Sequence, residues 1–76
     1  MELRHLRYFI AAGEELNFHR AAIRLNVSPP AVSHLIQNLE EELGVELFER
    51  LPRGVRLSSA GKTFLIDAQQ LLAGLK

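Results

Sequence analysis

Residues 17–43 read NFHRAAIRLNVSPPAVSHLIQNLEEEL, a pattern that predicts two helices meeting at a tight turn. Asn17 has the chemistry of an N-cap, its side-chain oxygen suited to accept from the amide of His19 or Arg20. Ala21, Ala22 and Leu25 then share one face of a short helix, and the paired small side chains let another helix cross closely. Asn26 tolerates the left-handed conformation that ends a helix, with Val27 packing beneath it. Ser28 is the next cap. Pro29 follows at the first helical position and Pro30 in the same first turn, where a missing N–H has no intrahelical partner to lose. Val32, Ile36, Leu39 and Leu43 make the buried stripe of this second helix, with Leu35 at its edge and Gly44 as its stop. The opposite face carries Pro30, Ser33, His34, Gln37, Asn38 and Glu41. A short helix feeding a second one with a small polar outward face is a helix-turn-helix, the motif that offers a helix to the major groove of DNA.

The flanking sequence supplies the rest of a domain. Leu3, Leu6, Phe9 and Ile10 recur at helical spacing, with Gly13 as the expected breaker. Leu47–Arg50 and Val55–Ser58 alternate in polarity around Leu51-Pro52-Arg53-Gly54, which predicts a β-hairpin with a turn longer than the tightest type. Ser58 or Ser59 caps a last helix in which Phe64, Ala68, Leu71 and Leu75 alternate four and three apart, widened by Leu65 and Leu72. In so small a domain that stripe has no other obvious surface to cover, so a partner helix is expected. The predicted fold is mainly α: a winged helix-turn-helix, with a three-helix core and a β-hairpin wing, followed by a long linker helix for dimerisation. Residues 1–58 would form the winged unit, with the helix-turn-helix at about 18–37 and the wing at about 47–58. Residues 59–76 would form the linker. The last helix reaches Lys76 without a stop signal, so a longer parent protein is expected.

Composition narrows the function classes. With 76 residues and 47% hydrophobic content the chain is one small folded domain. It has no cysteine, so neither a disulfide framework nor a thiolate metal site is available. The opening MELRHLRYF breaks into charge every few residues, which argues against a signal peptide or membrane span and makes a cytoplasmic location the default. Net charge is zero, yet the charges are polarised. No acid lies between Leu16 and Leu39, where His19, Arg20, Arg24 and His34 sit. Glu40, Glu41, Glu42, Glu46 and Glu49 follow, and Arg50, Arg53, Arg56 and Lys62 then come before Asp67. A domain polarised in this way can meet phosphate with one face although its sum is neutral.

With those residues in view, the chain resembles the N-terminal DNA-binding domain of LysR-type transcriptional regulators. The likeness lies in LRHLRYF near the start, in NFHRAA, in SPPAVSHLIQNLEEELGVELFER and in RGVRLSSAG, and their order and intervals make it specific. It implies binding of an interrupted palindromic operator in double-stranded DNA by a homodimer, with a tetramer for the full-length protein. It also implies control by a small-molecule effector on a C-terminal domain absent from this sequence, and no cofactor. Carried over by position, it makes Pro29, Pro30, Ser33, His34 and Gln37 the major-groove face. Arg53 becomes the minor-groove arginine of the wing, Arg50 lies at the wing's base, and His19 takes the phosphate-contacting start of the first motif helix. Ser28 is counted with them, although capping alone accounts for it. Two positions depart from the family pattern: Pro29 stands where glutamine is usual and His34 where arginine is common. Proline cannot read a base by hydrogen bonding, and imidazole lacks the fork that suits guanine.

Two other function classes compete. A protein-binding winged helix would use the Glu40–Glu49 acids and the leucine-rich last helix, and its affinity would lack the steep salt dependence of phosphate contacts. Catalysis has little support: there is no thiol, glycine-rich phosphate loop or His-Glu-x-x-His spacing. His34 and Asn38 sharing a helix face is more often ordinary surface chemistry. The bland reading of Arg20 and Arg24 is that they balance acids on neighbouring helices.

Overall fold

A computed structural model describes residues 1–74, so Leu75, the last member of the expected dimer stripe, lies outside the described residues. The order is α1 (Leu3–Glu15), α2 (Phe18–Leu25), α3 (Pro29–Leu43), β1 (Phe48–Arg50), β2 (Val55–Leu57) and α4 (Ser59–Ala73). Strands β1 and β2 pair antiparallel with Phe48 opposite Leu57 and Arg50 opposite Val55, which leaves residues 51–54 as the turn. This is the three-helix, winged architecture expected from the sequence.

The local signals resolve into the caps that the sequence proposes. The Asn17 side chain accepts from the Arg20 amide at 2.9 Å, that of Ser28 from Ala31 at 3.3 Å, and that of Ser58 from Gly61 at 3.0 Å. Each cap of this kind stabilises its helix by about 1 kcal/mol. Asn26 and Gly44 end α2 and α3 in the left-handed conformation, at φ 61 and 73.

Gly13 is not the breaker of α1. It lies buried inside that helix, which runs to Glu15 and closes on a left-handed Leu16 (φ 53) whose N–H donates to the Ala12 carbonyl at 2.9 Å. A Cβ on Gly13 would come within 3.2 Å of the Leu65 side chain, so glycine serves here to bring α1 and α4 close together. At Gly61 an added Cβ would run into the Leu47 carbonyl oxygen. The first turn of α4 is thereby pressed against the residue that precedes the wing.

The core gathers Leu6, Phe9, Ile10, Ala21, Ala22, Val32, Ile36, Leu39, Leu47, Phe48, Val55 and Ala68. Leu43 drops out of the stripe of α3: it is 37% exposed, because α3 projects beyond the core after Leu39. The α4 stripe also needs correction. Ala68 is buried within its own chain, and Phe64 and Leu72 pack half-buried against the same core. That stripe therefore does have a surface to cover, chiefly α1. Of its described members only Leu71 stands free, at 55% exposure, with Ile66 exposed on another side of the helix.

Glu14 ties three helices together. Its carboxylate accepts from Arg24 of α2 at 2.6 Å and from Gln69 of α4 at 2.7 Å. Those hydrogen bonds, Arg24's first and Gln69's second, hold its carboxyl below the usual glutamate value. A carboxyl with a lowered folded pKa contributes stability that is present above its unfolded pKa and lost as pH falls through the folded one. Glu14→Gln should therefore cost about 0.5 kcal/mol near neutrality, a value kept small by solvent screening of a pair so exposed. The difference between variant and wild type should fade as pH drops from about 5 to about 3, as denaturant melts at several pH values would show. A difference independent of pH over that range would rule out this linkage.

Candidate nucleic-acid interface

The face of α3 turned away from the core is built from its first turns. Ser28 fixes the helix start, and beyond it Pro30, His34, Gln37 and Asn38 are exposed while Pro29 and Ser33 are half-buried. Pro29, Pro30, Ser33, His34 and Gln37 thus share one side of a helix whose other side, Val32, Ile36 and Leu39, is wholly enclosed. Pro29 and Pro30 carry no N–H, so the start of this helix lacks two of the amide donors that most helices offer to phosphate. Ser28 accepts from Ala31 as the cap, and its own O–H has no acceptor among the described residues.

The wing is attached to α3 by a contact that the sequence reading missed. In sequence Glu40 heads a run of acids, but its Oε2 accepts from the amides of Leu47 at 2.6 Å and Phe48 at 3.2 Å. A single carboxylate oxygen thus fixes the start of β1 against the last turn of the helix. Spacing could have revealed this, since Glu40 follows Ile36 by four residues and stands at the edge of the buried stripe, whereas Glu41 and Glu42 point outward. The return strand is secured similarly. The Ser58 hydroxyl donates to the Glu46 carbonyl at 2.6 Å and its N–H to the Leu47 carbonyl at 3.0 Å.

Arg50 and His19 converge at the start of α2. The Arg50 guanidinium lies 4.8 Å from the centre of the Phe18 ring, a stacking that positions the cation and leaves its outer edge open to a ligand. Phe18 in turn meets Phe48 edge-on at 5.2 Å. His19, the next residue along α2, is exposed. Arg53 sits in the hairpin turn, exposed and without an ion pair among the described residues. The turn is shaped by Gly54 at φ 88 and closed by the Leu51 amide, which donates to the Gly54 carbonyl at 3.1 Å.

Ion pairing sorts the remaining cations. Arg24 is held by Glu14 and Glu15, and Arg56 by Glu49 across the hairpin at 2.7 Å. Arg20 has no such partner among the described residues, so the balancing role applies to Arg24 alone. The described residues contain no group of three or more His, Cys, Asp or Glu placed to hold a metal ion, and none of their helices is long and apolar enough to cross a membrane.

Residues 3–62 match the profile of the bacterial regulatory helix-turn-helix proteins of the lysR family. The HTH-type transcriptional regulator ClcR of Pseudomonas putida is 58% identical over 72 residues, 95% of this chain and 24% of its own length. An uncharacterised HTH-type transcriptional regulator of Escherichia coli K12, YnfL, is 55% identical over 73 residues, 96% of this chain and 25% of its own. The chain therefore spans about a quarter of the length of these curated relatives. Among solved structures, the CbnR DNA-binding domain in complex with DNA superposes with a TM-score of 0.92 at 49% identity, covering 96% of this chain and 84% of that one. Full-length CbnR with its target DNA gives a TM-score of 0.92, covering 96% of this chain and 25% of that one.

The Glu40 link makes a specific demand. Glu40→Ala leaves two amides without their acceptor, which should cost about 1–3 kcal/mol. It should also speed hydrogen exchange at Leu47 and Phe48 well beyond any change seen in Glu41→Ala. Equal protection in the two variants would mean that Glu40 does not hold the wing.

Proposed function

The chain belongs to the lysR family of bacterial regulatory helix-turn-helix proteins, and we propose that it is the part of a transcription regulator that binds double-stranded DNA in a sequence-specific way. The observation that carries this reading is the outward face of α3, with exposed His34 and Gln37, joined through Glu40 to a wing whose Arg53 has no ion pair among the described residues. In this reading Pro29, Pro30, Ser33, His34 and Gln37 meet base edges or the strands beside them. Pro29 offers only apolar surface, suited to a thymine methyl, and His34 is the strongest hydrogen-bonding group on the first two turns. Arg53 enters the minor groove, while His19, Arg50 and the start of α2 lie on phosphate. Ser28 acts indirectly, by setting where α3 begins. The protein works without catalysis and in the cytoplasm, where its DNA is.

The regulator acts as a dimer on an interrupted palindrome, and as a tetramer when full-length, with an effector-binding domain in the part of the protein beyond this chain. Residues 1–58 are the DNA-binding unit and residues 59–76 the linker. Since Ala68, Phe64 and Leu72 pack into their own core, the surface left for a second copy is Leu71 together with the groove between the ends of α3 and α4. That groove is lined by Leu43, Val45, Leu47, Ala60, Thr63, Phe64 and Asp67, and half-buried Phe64 shares a face of α4 with Leu71, two helical turns on. Leu47 and Phe64 serve the monomer's own core, but Leu43, Val45 and Leu71 stay exposed beside them, which is what supports a helix-on-helix partner there.

Selection of binding sites from random duplexes, followed by titration at several salt concentrations, tests the reading as a whole. An enriched two-fold motif with log affinity falling linearly in log salt is expected. Enrichment of no sequence, or affinity indifferent to salt, would overturn it. Within that assay Arg53→Ala should weaken binding by about 1–3 kcal/mol and relax any A·T preference beside the half-site; an unaltered affinity and salt slope removes Arg53 from the interface. Leu71→Glu should convert a sedimenting dimer into a folded monomer that binds a palindromic site poorly. A variant that remains dimeric excludes Leu71 from the contact.

A further inference from the structure

A groove of about 320 Å³ runs between the N-terminal half of α1 and the flank of α3, lined by Arg4, His5, Tyr8, Ala31, His34, Leu35 and Asn38. Its composition is unusual for a chain with as many acids as bases: the lining has no carboxylate. It holds instead a guanidinium, two imidazoles, a phenol and an amide, all of which can donate hydrogen bonds. Few of these donors are engaged. Arg4 makes one long ion pair, 3.4 Å, with the Glu2 carboxylate at the exposed start of α1, a solvated contact that a phosphate can displace. His5 Nδ1 accepts from the Glu2 amide at 3.0 Å, closing the helix cap, so its other ring nitrogen is the one that can donate outward. Tyr8, His34 and Asn38 make no side-chain hydrogen bond among the described residues, and none of their polar atoms is a buried orphan. These groups therefore face water and can exchange it for an anion.

The groove's position gives that anion a source. His34 belongs both to the outward face of α3 and to the groove, and Asn38 follows it by one turn on the same side. When a helix lies in the major groove, the phosphates of the bounding strand pass along its flank. We infer that this groove receives a backbone phosphate of the operator at the edge of the half-site. Arg4 supplies the charge, Asn38 and Tyr8 supply neutral donors, and His34 is steered from the same side onto its base. The inference rests on the DNA-binding reading and extends it: α1 becomes a third phosphate-contacting element beside α2 and the wing. It also offers a replacement for the amide donors that Pro29 and Pro30 remove from the start of α3, since a strand not gripped at that helix end can be gripped along its flank.

The test compares Arg4→Ala and Asn38→Ala with Arg7→Ala. Arg7 is a matched control because it removes the same charge from the same helix but lines separate grooves with Leu72. Each variant is titrated by anisotropy against the selected operator and an unrelated duplex at several salt concentrations, with thermal melts to confirm folding. Arg4→Ala should weaken both duplexes about three- to tenfold and lower the salt slope by about 0.9, as loss of one phosphate contact requires. Asn38→Ala should weaken binding less and leave the slope unchanged. An operator series carrying one neutral methylphosphonate at a time should then show a position on the flank where wild type loses affinity and Arg4→Ala does not. Wild-type binding with Arg4→Ala indistinguishable from Arg7→Ala, and no such position, overturns the groove while leaving the DNA-binding reading intact. Failure of wild type to bind any duplex overturns both. Saturable shifts of the His34 and Asn38 signals with inorganic phosphate, unmatched by any methylphosphonate position, would make this a free-anion site and reject its DNA role.

Discussion

Phe9 is the residue on which the arrangement of the other parts depends. Fully enclosed at the middle of α1, its ring meets Phe48 of β1 at 5.5 Å and Phe64 of α4 at 4.9 Å, tilted in both cases. Phe48 meets Phe18 at the head of α2, and Phe18 carries Arg50 on its face. Each tilted aromatic pair adds about 0.5–1.5 kcal/mol beyond its buried area. Position matters more here than the energy. One ring in α1 sets where the wing, the first motif helix and the linker helix stand relative to one another. A displacement at Phe9 would be passed to every one of them, because a close-packed core has no slack to absorb it.

The wing shows how a short hairpin becomes a rigid part. Two strands of three residues are too little to hold a shape in water. This pair is anchored at its root by the Glu40 carboxylate, by Phe48 in the aromatic chain and by Val55 in the core, and at its exit by Ser58 and the close seat of Gly61 under Leu47. Its turn, with Arg53, stands clear of those anchors. A side chain carried on such a base can be directed into a narrow groove without ordering the loop again on each encounter, which lowers the entropy lost in binding.

What could be read from the sequence follows from the range of the forces involved. Caps at Asn17, Ser28 and Ser58, the αL ends at Asn26 and Gly44, and the proline start of α3 are decided within four residues, and all were legible. Gly13 misled because a glycine near a helix end looks the same whether it stops the chain or admits a neighbour; only Leu65 of α4, far away in sequence, distinguishes the two. The α4 stripe was recognised as apolar, but its periodicity does not say whether a neighbour in the same chain or in another copy covers it. Leu43 has the helical spacing of a core residue and lies past the point where the core ends. On the candidate interface, the outward face of α3 was legible as the complement of the buried stripe. The union of Arg50 with Phe18 and of Glu40 with β1 was not, because each joins elements whose approach is set by the aromatic core.

A neutral chain can still present cations where they matter, because its acids are used selectively. Glu14, Glu15 and Glu49 engage Arg24 and Arg56, and Glu40 is turned inward to the wing's amides. Arg7, Arg20, Arg50, Arg53 and Lys62 are left without a carboxylate partner among the described residues. The effective charge of a surface is set by which cations lack an internal partner, and net charge is a poor guide to it. With as many acids as bases in the chain, non-specific attraction to DNA should still be modest in this domain. More of its discrimination must then come from the rigid register between α3 and the wing, and from pairing two such domains on one site, where each half raises the effective concentration of the other. That dependence on geometry explains why so much of a small core, from Phe9 to Glu40 and Gly61, is devoted to fixing relative position.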